Sequence, residues 1–181
     1  MSIDSSKSMQ ESARADGFSA CTPRLILREA IPSDAEKIAT TRNSDFVMRY
    51  NLYKKCSAED VIEEIANYES FVLIEKESNE IIGFVSYRDY DCRRHVISIA
   101  LQAWLVEEKA YQGYMEEALR EIIPYLSKSY KKIVVQIFSA NTASIRLAEK
   151  LGFKHDKLIK NALKSPAGEI FDLVLMSYKS K

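Results

Sequence analysis

Three consecutive segments in the second half of the chain change their hydrophobic period twice, and this constrains the fold more than any other feature. In 95-HVISIALQAWL-105 the odd positions Ile97, Ile99, Leu101, Ala103 and Leu105 are all apolar. A period of two marks a strand and sets these residues toward the core. In 114-YMEEALREIIPYL-126 the residues Met115, Ala118, Leu119, Ile122, Ile123 and Leu126 form the i, i+3, i+4 stripe of an amphipathic helix. The run 132-KIVVQIFS-139 is nearly continuous apolar sequence, as in a strand covered on both faces. Strand, helix and strand in this order make a crossover unit, so the two strands are expected to be parallel. Pro124 lies inside the helical stripe and is expected to kink or shorten it, because proline removes an N–H and crowds a carbonyl one turn back.

The remaining segments read as hairpins and capped helices. A short strand is predicted at 24-RLILRE-29, and a helix at 32-PSDAEKIATTRN-43 with a capping box at Ser33 and Glu36. A second helix, 57-SAEDVIEEIANYES-70, carries the cap pair Ser57 and Asp60. The segment 71–90 reads as a hairpin around the polar stretch Lys76 to Glu80. The segment 141-NTASIRLAEKLGF-153 reads as a helix with Asn141 at its N-cap and Gly152 past its end. Two strands, 153–163 and 169–178, are joined around Ser165-Pro166-Ala167-Gly168. The order predicts an α/β (α+β) fold: a mixed, mostly antiparallel central sheet with one parallel βαβ pair and helices on both faces. A chain of 181 residues fits one domain, expected over 22–181, with the Ser-rich polar segment 1–21 as a flexible tail.

Charge and cysteine content exclude several classes. Lys+Arg and Asp+Glu both number 26, so no net field draws nucleic acid or an anionic membrane surface. Cys21, Cys56 and Cys92 are scattered, without the spacing of a zinc site or a disulfide framework, and no metal is expected. Cys92 lies three residues from His95, too thin a basis for a thiol nucleophile. The first twenty residues hold no apolar signal core and no run reaches membrane-spanning length, so a cytoplasmic protein is expected.

The stretch 22-TPRLILREAIPSDAEKI-38, the strand–turn–helix from Leu101 to Ala118, and the Asn-x-x-Ser…Glu-Lys-x-Gly-Phe pattern of 141–153 together resemble the GCN5-related N-acetyltransferase family. The resemblance spans about residues 22–178. It is strongest to the branch acetylating ribosomal-protein N-termini and its relatives acting on small amines. It implies the acyl-CoA N-acyltransferase fold, acetyl-CoA as acyl donor, and transfer to a primary amine on a protein N-terminus or a small molecule. A monomer or homodimer is expected. The resemblance places a phosphate-binding turn on Ala110, Tyr111, Gln112, Gly113, Tyr114 and Met115. Its backbone amides and the following helix N-terminus would hold the pyrophosphate. The pantetheine arm would run beside Ala103, Trp104 and Leu105 like an added strand. Asn141 would bond the cofactor; Ser144 would also contact it and supply a proton to the leaving thiolate. Both also read as a helix cap and a first-turn polar residue.

The chain departs from the family pattern at several points. Ala100 stands where many relatives carry a glutamate base, and Ala148 where many carry a tyrosine acid. Ala110 replaces Gln or Arg, Tyr111 a frequent glycine, Gln112 a frequent lysine and Met115 a small residue. Backbone donors do not depend on these side chains, but Tyr111 and Met115 add bulk. His95, Asp89 and Asp91 are substitute bases, with an already neutral amine as the alternative. Tyr50, Tyr53, Tyr87 and Tyr90 are either acceptor-pocket residues or simply packed side chains. The alternative function is a family member that binds acyl-CoA with little or no turnover.

Overall fold

The computed structural model describes residues 17–51, 54–91, 98–164 and 168–180. The crossover unit forms as its periodicity predicts: strand β5 (Ser98–Leu105) is followed by a helix, Tyr114–Leu126, and by strand β6 (Lys132–Phe138). The two strands are parallel, but among the described residues they pair only at Ser98↔Lys132, Ile99↔Ile133 and Ala100↔Val134. Beyond Ala100, β5 stays paired on its other side with β4 (Glu80–Asp91), as far as Leu105↔Gly83. The strands therefore part company for most of their length.

Among the described residues the sheet has eight strands in the order β1-β2-β3-β4-β5-β6-β8-β7. The others are β1 (Ser19–Cys21), β2 (Leu25–Glu29), β3 (Ser70–Glu75), β7 (Lys154–Lys164) and β8 (Ile170–Lys179). All neighbours except β5 and β6 are antiparallel. The helices are α1 (Ala35–Arg42), α2 (Asp45–Asn51), α3 (Ala58–Asn67), α4 (Tyr114–Leu126) and α5 (Thr142–Lys150).

Each face of the sheet buries its own core. Under α4 and α5, Leu27, Phe71, Val85, Ile99 and Leu101 pack with Ala118, Ile122 and Ala148. Under α1–α3, Val72, Phe84 and Trp104 pack with Ile38, Val47 and Val61. Strand alternation divides β5 between them, with Ile99 and Leu101 on one face and Trp104 on the other.

Some local expectations shift. Residues 19–21, read as part of a tail, pair with β2, and Phe18 packs edge-on against Phe71 with ring centroids 5.0 Å apart. Helix α2 was not foreseen. Ser33 does not cap: residues 32–34 form a 3-10 turn, and the exposed amide is that of Ile31, which the Asp34 carboxylate accepts at 2.9 Å. The box at Ser57 and Asp60 forms reciprocally, at 2.7 and 3.2 Å. Helix α4 is not shortened; it runs through Pro124 to Leu126. Pro124 and Arg120, whose carbonyl loses its helical donor, both lie on the exposed side of the helix, where solvent can take the place of the missing donor. Among the described residues no helix is long and apolar enough to cross a membrane. Cys92, His95, Val96, Ile97, Tyr53, residues 1–16, residues 165–167 and the side chains of Tyr50 and Asp91 lie outside the described residues.

Candidate active site

The divergence of β5 from β6 opens a cleft of about 520 Å³ that passes through the sheet. On the α4–α5 face Met115, Glu116, Ser144 and Leu147 line it; on the opposite face Phe46 and Val47 of α2 do so. The stretch Leu101–Leu105 forms one side and Val135–Phe138 the other. Past the Ala100↔Val134 pair, no residue of β5 is paired with β6 among the described residues.

The turn at the top of β5 is built to expose amides. After a 3-10 turn at Glu107–Lys109 the chain reaches Gly113, the N-cap of α4, at φ +82°. A Cβ at Gly113 would meet only Arg24 Nη2, at 3.5 Å, so the left-handed backbone rather than space selects glycine there. Tyr111 adopts φ +59° without being glycine, and the residue is 79% exposed. Tyr111 thus keeps the turn geometry of the glycine it replaces while its bulk stands in solvent; a left-handed tyrosine costs about 1–2 kcal/mol. Met115 is partly buried and packs on the core beneath α4. No side chain caps α4, and its first turn-closing bond is Glu117 N–H to the Gly113 carbonyl, at 3.0 Å. The amides of Tyr114, Met115 and Glu116 precede that bond and sit at the positive end of the helix.

Two carboxylates hold this turn from behind. Glu117 accepts from Thr22 Oγ1 at 2.5 Å, from the Arg24 amide at 2.9 Å and from Arg24 Nε at 2.7 Å. Burial pushes its pKa upward, but the bonds from Thr22 and Arg24 outweigh this and hold it below the usual carboxylate range. Arg24 also donates to the Gln112 carbonyl at 3.0 Å and lies 4.0 Å over the Tyr114 ring. Buried Glu75 accepts from Lys109 Nζ and Tyr114 Oη, both at 2.6 Å, and from Ser78 Oγ at 2.8 Å. Those partners, Lys109 foremost, depress its carboxyl to about 2. The cations of the turn are thereby committed to carboxylates, and what the turn offers an anion is backbone N–H.

On the far wall, Asn141 Oδ1 accepts from the Ser144 amide at 3.2 Å, so the cap reading of Asn141 holds. Asn141 and Ser144 both line the cleft, as do Ala103, Trp104, Leu105, Ala110, Tyr111, Gly113 and Met115. Gln112 and Tyr114 do not: Gln112 Nε2 donates to the Glu108 carbonyl at 2.6 Å, and Tyr114 is buried on Glu75. Ala100 and Ala148 line the cleft too, presenting methyl groups where a base and an acid were sought. Asp89 lies on β4 outside the cleft, and Tyr90 is 40% exposed. Tyr87 is buried on the α4 side, 3.1 Å from the Tyr130 hydroxyl, and lines a small separate cavity of about 50 Å³ rather than the cleft. Register explains this: Tyr87 shares the parity of Val85, facing the α4 core, while Phe84 faces α1–α3. Phe46, Val47, Gln102, Gln136, Phe138, Leu163 and Leu173 were not singled out in the sequence, yet all line the cleft. Among the described residues no cluster of three His, Cys, Asp or Glu side chains could hold a metal ion.

The family model of the acetyltransferase (GNAT) domain matches residues 24–154. An uncharacterized N-acetyltransferase, YoaA, of Bacillus subtilis strain 168 is 24% identical over 153 residues, covering 77% of this chain and 84% of that protein. Among solved structures, a ribosomal-protein-S5-alanine acetyltransferase from Vibrio fischeri superposes with a TM-score of 0.78 at 22% identity, covering 91% of this chain and 97% of that one. A phosphinothricin acetyltransferase from Sinorhizobium meliloti in complex with AcCoA superposes with a TM-score of 0.76 at 18% identity, covering 87% and 89%. At such identities the structural likeness speaks for the fold, while the family model spans most of the chain. The chain belongs to the GNAT acetyltransferase family.

Proposed function

We propose that the protein transfers an acetyl group from acetyl-CoA to a primary amine, on a protein N-terminus or a small molecule, by direct attack on the thioester. The observation that carries this reading is the cleft itself. It runs through the sheet between two diverging parallel strands and has an uncapped helix N-terminus beside it. Acetyl-CoA supplies the thioester carbonyl and the leaving thiol. The amides of residues 111–116 hold its phosphates, and Ala103–Leu105 offer extended backbone to its amide-bearing arm. An unpaired N–H of the same stretch takes the negative charge that grows on the carbonyl oxygen. Asn141 positions the arm; Ser144 Oγ gives the departing thiolate its proton, and the proton shed by the attacking nitrogen restores the Ser144 hydroxyl. Glu116 is the single carboxylate among the described lining residues, and Lys150 and Arg120 engage it at 2.6 and 2.9 Å. The amine therefore enters already neutral.

The methyl groups of Ala100 and Ala148 favour a second reading, a donor-binding protein with little turnover. Thermal melts with about 1 mM acetyl-CoA test donor binding: at a hundredfold excess over Kd the stabilisation is about 2.7 kcal/mol. An unchanged melt sinks both readings. Thiol release against a panel of amines then separates enzyme from binder. Ser144→Ala is expected to lower kcat by about a hundredfold with the acetyl-CoA melt shift intact, and unchanged turnover removes Ser144 from the chemistry.

A further inference from the structure

The half of the cleft on the α1–α3 face has a chemistry of its own. Phe138 of β6 is buried and pairs in register with Leu173 of β8. Its ring lies 5.3 Å from that of Phe171 at an interplanar angle of 63°. Leu163 of β7 stands opposite Phe171 in the ladder. Phe46 and Val47 approach from α2, and Trp104, stacked on Phe84 at 5.6 Å, borders the space on β5. The polar groups contributed by the facing strands are carboxamides, Gln102 and Gln136. Glu116 belongs to the α4 end and is already paired with two cations.

We propose that this half is an apolar acceptor subsite, walled by Phe46, Phe138, Leu163 and Leu173, which takes a primary amine carried on a compact aryl-alkyl body and turns away polycationic amines. The proposal rests on the acetyltransferase reading above. An aryl-alkyl body gains free energy by leaving water for such walls. Each extra ammonium of a polyamine would lose its hydration with no lining carboxylate in reach among the described residues, a cost that hydrophobic contact does not offset. The carboxamides can orient a neutral amine without holding it as an ion pair. The volume of about 520 Å³ must be shared with the donor arm, which keeps the acceptor small.

Trp104, the chain's one tryptophan, is a built-in reporter. Its emission is read while the protein is titrated with 2-phenylethylamine, with N-acetyl-2-phenylethylamine and with spermidine. The first two are expected to give saturable changes and spermidine none. Where turnover is measured, kcat/KM for 2-phenylethylamine should exceed that for spermidine by about a hundredfold or more. Phe138→Ala should weaken 2-phenylethylamine at least about tenfold while leaving the acetyl-CoA melt shift in place. Leu163 is only partly buried, so Leu163→Glu tests the same subsite without emptying the core, and should raise spermidine use at the expense of 2-phenylethylamine. Equal binding of spermidine and 2-phenylethylamine, or no Trp104 response to either, overturns the proposal. If thiol release fails with every amine, the acetyltransferase reading falls separately, and the fluorescence titration still decides the subsite.

Discussion

Replacing Gly83 by alanine tests how tightly the end of β5 is held. Gly83 faces Leu105 across the β4–β5 ladder. A Cβ built on it would lie 2.7 Å from Leu105 Cδ2, 2.9 Å from the Trp104 carbonyl oxygen and 3.1 Å from Leu73 Cδ2. The two leucine tips can rotate, but the Trp104 carbonyl is backbone. Ordinary contact needs about 3.4 Å, so that carbonyl must retreat by about 0.5 Å and carry the Ala103–Leu105 backbone with it. Overpacking of this kind costs about 1–3 kcal/mol. For a chain of this size that is a fall in Tm of roughly 3–10 °C. The same backbone is proposed to take charge from the thioester carbonyl, and displacements approaching 1 Å at such groups cost up to about a hundredfold in rate. A shift of half that size should lower kcat by about tenfold, with a smaller change in KM for acetyl-CoA. Thermal melts and a thiol-release assay on the purified variant measure both quantities. A Gly83→Ala protein with parental Tm and parental kcat would refute the argument that close backbone approach at this point sets the geometry of the site.

Two further outcomes concern the turn that presents the amides. Glu117→Ala removes the acceptor of the Arg24 amide and the closer acceptor of the buried Thr22 hydroxyl, which keeps only the Leu25 carbonyl at 3.3 Å, and should cost about 1–3 kcal/mol in urea unfolding. Glu117→Gln keeps an acceptor oxygen and should cost less than half as much; equal losses would show that the ion pair with Arg24, not the hydrogen bonds, dominates. Glu75 is depressed to about 2 from an ordinary value near 4.5. Its contribution is thus complete above about pH 4.5 and is lost as pH falls toward 2. Melts of the parent and of Glu75→Gln should differ most above pH 4.5 and converge near pH 2; parallel curves across that range would rule out this linkage.

What could be read from the sequence depended on how long each pattern ran and how local its cause was. The crossover unit and the Asn141–Phe153 segment repeat their period over enough residues to fix both element type and facing. Strand β1 carries only Ser19, Ala20 and Cys21, with no β-rich signature, and is held by pairing with β2 and by the neighbouring Phe18 ring. Helix α2 is seven residues long, and its visible cue is Ser44, which accepts from the Val47 amide at 3.4 Å. The turn proposed to hold phosphate was singled out through the resemblance. The left-handed backbone at Tyr111 was not, since a tyrosine gives no sign of the conformation its neighbours impose on it. The half of the cleft proposed to take the acceptor was the least legible part. Phe46, Phe138 and Leu173 come from three distant elements, and each taken alone looks like a core residue. Only the parity of the strands and the split between β5 and β6 bring them to one wall.

That split also divides the sheet mechanically. Strands β1 to β5 form one plate and β6, β8 and β7 another, and among the described residues three residue pairs stitch them together. Along the seam, the amides of Ala103 and Leu105, on the β6 side of β5, have no ladder partner among the described residues. They should exchange their hydrogens with solvent far faster than the amides of β5 bonded to β4. An extended ligand lying in the seam would supply the missing ladder and slow that exchange. The backbone of β5 is thus its own occupancy gauge: a deuterium-uptake profile across residues 101–105 reads whether the gap is filled, independently of any chemistry that follows.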